Sequence, residues 1–449
     1  MAELSQAQRA VVTQLAERCP DAMLERLARM TTGMPGEKAQ ALAGLLRTSC
    51  RDRTRRAFAL GPLLPLFAPR IDGVEGLSFP ASVLPRLWSA ASTREAALLD
   101  RLDRDDDEAR VLVAERVCRA AAAVVRDDPD LVWPRTLSPA ERDSGLVELA
   151  ACLDLATLAR KGVALLPALI LRPTGDQIAE FRLLIKDSDA LTPEGARRLL
   201  DILFAHLGEA FLILRVITQS SGAAGRESFL SECELAGFVE RLLTGVEQRV
   251  ARVAGLAPTG QITALVDDTA WASAALQELD ITLRLQPESP WGRRAKAARG
   301  KVSEQLTTWM KQAEKAVDQA LPLTRQQIAG RMTRNAPKLD LDPGGPELER
   351  ADALLTLVSA IRPAAGVFGC ESVRKALVDR VTDRLSSWAE EALELINGGE
   401  APDEDRAIAL VEKAADMLER LDAADLARSV RRRAAVAGSL ITGGSPAAA

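Results

Sequence analysis

The sequence predicts an all-α protein, a helical bundle leading into an elongated, solenoid-like array of antiparallel helix hairpins. Three observations carry that expectation. Ala and Leu dominate the apolar residues of a 449-residue chain in which aromatics make up 3% and tyrosine is absent, a usage that favours helices over pleated strands. Apolar residues recur at the i, i+3, i+4, i+7 spacing of a one-sided helix. Short helical runs in the first half give way to long ones in the second, joined by brief Gly, Pro or Ser breaks that favour antiparallel neighbours.

Three helices fit the first sixty residues: Ser5 to Arg18, Asp21 to Met30 and Glu37 to Cys50, punctuated by Pro20 and by TGMPGE. The stretch at 61–87 carries prolines at 62, 65, 69, 80 and 85, and each removes a backbone donor that a long helix needs. Because it is also apolar, it reads as an ordered segment packed on the helices around it, with a short strand pair near Ile71 to Phe79. Helical pattern resumes from Ser92, and in Asp105 to Arg126 the residues Val111, Ala114, Val117, Cys118, Ala121 and Val125 form one stripe. The acids of DRDDDE crowd its first turn, where the helix dipole favours negative charge, so capping explains them better than a metal does. Pro139 to Lys161 follows, opened by Ser138 and Glu141 as a capping box, and then Asp176 to Lys186.

Four helix pairs fill the second half: Pro193 to Thr218 with Glu227 to Val253; Gln261 to Leu285 with Pro290 to Ala320; Glu347 to Ile361 with Glu371 to Ile396; and Asp403 to Leu421 with Ala423 to Val436. Within them VSEQLTTW (Val302 to Trp309) is echoed by VTDRLSSW (Val381 to Trp388), about 80 residues on, an irregular helical repeat. The echo lacks the unit length and diagnostic positions of tetratricopeptide, HEAT and armadillo repeats. The expected organisation is an N-terminal helical unit at 1–190, a hairpin array at 191–441 and a frayed tail at 442–449.

Charge and thiols narrow the function classes. Acids and bases nearly balance at a net charge of -5, so no broad field draws the chain to nucleic acid or anionic lipid. The six cysteines, Cys19, Cys50, Cys118, Cys152, Cys233 and Cys370, contain no CxxC pair and sit among apolar neighbours, as reduced thiols do. The first residues show no basic region followed by an apolar core, and the most apolar runs, Gly162 to Leu171 and Ala210 to Ile217, are far shorter than the roughly 20 residues of a bilayer span. A cytoplasmic protein without membrane contact is expected.

Motifs for chemistry are sparse. The single histidine, His206, lies among bulky apolar residues with Glu209 on the same helical face, and it reads as a packed residue rather than a ligand or base. No GxSxG elbow accompanies it, and no GxxxxGK[ST] or GxGxxG precedes a helix. SSGAAGRES (Ser220 to Ser228) and LDPGGPE (Leu341 to Glu347) read as turns. No metal site and no cofactor is expected. Three basic clusters stand out: Arg51, Arg53, Arg55 and Arg56; Arg293, Arg294, Lys296, Arg299 and Lys301; and Arg428, Arg431, Arg432 and Arg433. They lack interleaved aromatics, which disfavours nucleic acid, and solvated helix faces account for them.

Of the six tryptophans, Trp309 and Trp388 occupy the echoed position and suit a core contact, whereas Trp133, in DDPDLVWPR, suits an exposed partner anchor. The expected function is therefore a non-catalytic protein–protein interaction, as a scaffold or adaptor. Its candidate contacts are Trp133, Arg293, Arg294, Lys296 and Arg299, its partner is another protein, and a homo-oligomer stays open. Two alternatives remain: an enzyme or effector with an unfamiliar carboxylate/Arg helical site, and a nucleic-acid-associated regulator using the basic helix faces.

Overall fold

Several helices of this chain begin where a side chain takes up an orphan amide of the first turn. In the computed structural model, which describes residues 4–104, 106–133, 139–221, 236–257, 260–329 and 332–443, Ser5 and Gln8 form a reciprocal capping box that opens α1 (Gln6–Arg18). Helix α2 (Asp21–Thr32) starts after Pro20, and α3 (Glu37–Ala59) starts after Gly36, whose φ of 108° suits glycine. Helix α3 runs nine residues beyond the expected Cys50. Its extension is held by Arg55, a buried guanidinium bonded to Asp100 and Asp103.

The proline-rich segment is ordered, as expected, but it contains no strand pair. It opens as a 3-10 helix (Gly61–Phe67) that buries Leu63 and Leu66. In residues 70–79 Phe79 N–H donates to the Leu66 carbonyl at 2.7 Å, Gly73 N–H to the Arg70 carbonyl at 3.1 Å and Val74 N–H to the Asp72 carboxylate, which also accepts from Ala210 N–H. With those groups committed and Gly73 turning at a φ of 68°, no ladder can form, and Ile71 is fully exposed.

The first half continues through α4 (Val83–Arg94), a 3-10 turn (Ala96–Asp103), α5 (Asp107–Asp127), α6 (Pro129–Val132), α7 (Pro139–Asp154), α8 (Ala156–Leu171), α9 (Gly175–Leu191), α10 (Gly195–His206) and α11 (Ile213–Ser221). Asp106 caps α5 by accepting from Ala109 N–H, the role expected of its acids. Two helices that periodicity joins are each split. Pro139 to Lys161 breaks at Leu155, and Pro193 to Thr218 breaks at 207–212, where the Asp72 carboxylate holds the Ala210 amide from far along the chain.

The remaining elements are α12 (Ala236–Gly255), α13 (Ile262–Leu283), α14 (Pro290–Ala320), strands β1 (Leu323–Ala329) and β2 (Met332–Pro337), α15 (Pro346–Ala360), α16 (Arg362–Ala365), α17 (Glu371–Asn397), α18 (Glu404–Arg420) and α19 (Ala424–Gly443). The strands form an antiparallel hairpin, Leu323 opposite Pro337, in an interval to which periodicity assigns no element. Among the described residues the fold is otherwise all-α. The Ser138 cap, the 227–235 part of the expected helix, the Ser220 to Ser228 turn from 222 onward, Cys233 and the tail from 444 lie outside those residues.

Contacts divide the chain into two units, Met1–Arg241 and Leu242–Ala449. Helices α10 and α11 pack back on α8 and α9. In the first unit, Leu149, Phe181, Leu203 and Phe204 are buried. In the second, α14 packs on α15 and α17, and α17 packs on α18, around Leu306, Trp309, Leu354, Leu385 and Leu410. Each such side chain contributes about 1.5–3 kcal/mol by leaving water.

Candidate functional site

Of the residues the sequence nominates, Trp133 is the clearest correction. It is not an exposed anchor: 2% of its surface is accessible, its ring meets Phe79 edge-on at 6.3 Å, and it lies on α7 where Gly145 has no side chain. A Cβ there would come within 2.5 Å of the indole, so the absent side chain makes room for the ring.

The α14 cluster divides. Arg294 grips Glu247 of α12 through two nitrogens at 2.8 and 3.0 Å, and Arg299 bonds Leu276 O and Asp280 of α13. Arg293 and Lys296 are exposed on a separate stripe. The other clusters are similarly engaged: Arg53 with Asp21, Arg56 with Glu17, Arg431 with Asp416 and Glu419, and Arg433 with Glu390. Most of these arginines bind helices together, which leaves few for phosphate.

The titratable interior is likewise committed to structure. His206 Nε2 lies 2.7 Å from the Pro62 carbonyl, and burial pushes its pKa below 6.5, so the neutral ring donates that bond and pins the proline segment. Glu148 sits between Arg197 and Arg198, and Asp201 between Arg197 and Arg241. Burial pushes the Glu148 carboxyl up, but the two guanidiniums outweigh it and hold the group below its usual value, ionised rather than poised as an acid. A hollow of about 680 Å³ opens beside this network between α5, α7 and Leu191–Pro193, and its two arginines are both engaged, Arg126 by Asp154 and Arg198 by Glu148. Burial pushes the Cys118 thiol up to about 12 and raises Cys152 as well, which makes both poor nucleophiles. Among the described residues no cluster of His, Cys, Asp and Glu could hold a metal ion.

The site with unmet physical demand is apolar. Helices α1 and α2 both pack on α3 and leave between them a trough of about 600 Å³. Its base is Leu24, Leu42 and Leu46, and its walls are Val12 and Leu15 of α1 and Met23 and Leu27 of α2. No charged residue lines it. Leu15 is 63% exposed and Met23 55%, and Val11, four residues before Leu15, and Met30, three after Leu27, are exposed on the flanking helix rows. Large apolar side chains gathered at one mouth mark interaction surfaces rather than ordinary monomer exterior.

Sequence reasoning missed this trough because spacing alone makes Met23 and Leu27 look like core. One signal was present. In α2, Met23, Leu24, Leu27, Ala28 and Met30 cover a wider arc than packing on one helix requires.

The chain matches no protein-family model, and no curated protein and no solved structure is significantly similar to it.

Proposed function

We propose that the protein is a non-catalytic interaction module, a scaffold or adaptor, that receives a partner protein in the trough between α1, α2 and α3. The observation that carries this reading is the cluster of half-exposed apolar side chains, Leu15, Met23 and Leu27, above an apolar base. Binding there would remove from water the surface that folding leaves behind, and methionines adapt their shape to what they meet. The engaged carboxylates and arginines around Glu148 weigh against the unfamiliar-enzyme alternative, and the paired basic clusters weigh against nucleic acid. The echo between α14 and α17, with Trp309 and Trp388 both buried, supports an irregular helical repeat in residues 242–443, an architecture suited to carrying partners. The unpaired thiols Cys19, Cys50, Cys118, Cys152 and Cys370 fit a reducing cytoplasm.

A photo-crosslinking residue placed at Met23 tests the reading in cells of the native host. The expected result is a discrete adduct with another protein that disappears when Leu15→Asp is added, and that a crosslinker at exposed Arg47 does not form. Identical adducts from positions 23 and 47 would remove the support for docking in the trough.

A further inference from the structure

We infer that the occupant of the trough is an amphipathic helix of another protein whose apolar stripe is flanked by Asp or Glu. This deepens the docking reading above and depends on it. Arg26 is exposed and lies three residues after Met23 and four before Met30, so it borders the trough's mouth on α2. Lys38 is exposed and stands in the same row of α3 as Leu42 and Leu46, at one end of the base.

Two nearby carboxylates are already paired, Asp21 with Arg53 and Glu17 of α1 with Arg56, and Glu25 stands two residues from both Met23 and Leu27, off the stripe they form. The α1 edge is Gln8, Val11 and Leu15, which carry no charge. The mouth is therefore locally positive in a chain whose net charge is -5.

Shape supplies the second constraint. The 12 residues of α2 run about 18 Å, long enough to lie along three turns of a partner helix. A recessed base of buried Leu24 and Leu46 is reached by side chains projecting at i, i+3, i+4 and i+7, the helix-in-groove mode. A flat lipid surface would meet only the rim. A second copy related by a two-fold axis would bring its own Arg26 and Lys38 against the same basic edge, so like charges oppose self-association.

Two synthetic peptides of about 15 residues test this on the full chain, sharing one Leu stripe at helical spacing and flanked by Glu in one and Lys in the other. Fluorescence anisotropy at low salt should show the Glu peptide bound about ten-fold more tightly than the Lys peptide, a margin that shrinks as salt is added. Arg26→Glu with Lys38→Glu should reverse the preference, since neither substitution touches the apolar base. Met23→Asp should weaken the Glu peptide by ten-fold or more with unchanged far-UV dichroism.

Equal affinities, a Lys preference or indifference to the charge reversal would overturn the inference about the partner while leaving the trough as a docking site. Binding of neither peptide would overturn it as well. If in that case phosphatidylcholine–phosphatidylserine vesicles bind, or sedimentation shows a dimer that Met23→Asp dissociates, the occupant is a membrane or a second copy, and the docking reading itself fails.

Discussion

Arg70 and Asp72 lie two residues apart with side chains 6% and 4% exposed, and between them they organise the proline segment. The guanidinium pairs with Asp72 at 2.8 Å, donates to the Phe204 carbonyl and stacks on the Phe204 ring at 4.2 Å. Removing one partner strands the other charge in the interior. Arg70→Ala should therefore lower stability by about 3–5 kcal/mol, whereas Arg70→Met with Asp72→Asn should recover part of it, because the neutral amide leaves no buried charge and keeps an oxygen to accept from the Val74 or Ala210 N–H. Urea denaturation of both variants checks this, and equal losses would contradict it. His206 supplies a pH dependence of defined sign. Its folded-state pKa lies below 6.5, so as pH falls through that value the unfolded chain binds the proton first and stability drops, the loss levelling off below the folded value. The urea midpoint should fall between pH 7.5 and 5.5, and His206→Gln, which keeps a donor for Pro62, should flatten that fall. An unchanged slope in the variant would assign it elsewhere.

At the scale of elements, what could be read in the sequence was what local chemistry decides. Helix α14 spans Pro290–Ala320, the expected bounds, because Ser289 caps it with Pro290 at its first position. The breaks at Leu155 and at 207–212 were illegible, since the second depends on a carboxylate at position 72. The β-hairpin was illegible too, because LTRQQIA and MTRNAP carry few of the residues that announce strands. One further close approach sets the angle between α9 and α10. A Cβ on Gly195 would lie 1.8 Å from the Ser188 carbonyl oxygen, whereas one on Gly175, at the start of α9, would meet nothing within 4 Å. Gly195→Ala should cost about 2–3 kcal/mol and Gly175→Ala almost nothing, measured by thermal melts under identical conditions. Similar melting temperatures for the two variants would show that the α9–α10 joint tolerates a shift of backbone.

At the scale of the whole molecule, the candidate site was less legible than the fold. Whether an apolar residue is core or contact depends on what covers it, and nothing among the described residues covers Leu15, Met23 and Met30. The residues that did look like contacts, Trp133, Arg294 and Arg299, are used to hold helices together. The same logic accounts for the surface charge, where arginines join helices and the mouth of the trough keeps Arg26 and Lys38 for a partner. Methyl NMR on methionine-labelled protein gives the most direct test of docking in the trough, because Met23 lines it and Met30 stands on the flanking row of α2, while Met310 and Met417 are buried in the second unit. Titration with the Glu-flanked peptide should shift Met23 saturably, with smaller changes at Met30 and none at Met310 or Met417. Binding that moves Met310 or Met417 and leaves Met23 in place would contradict the account.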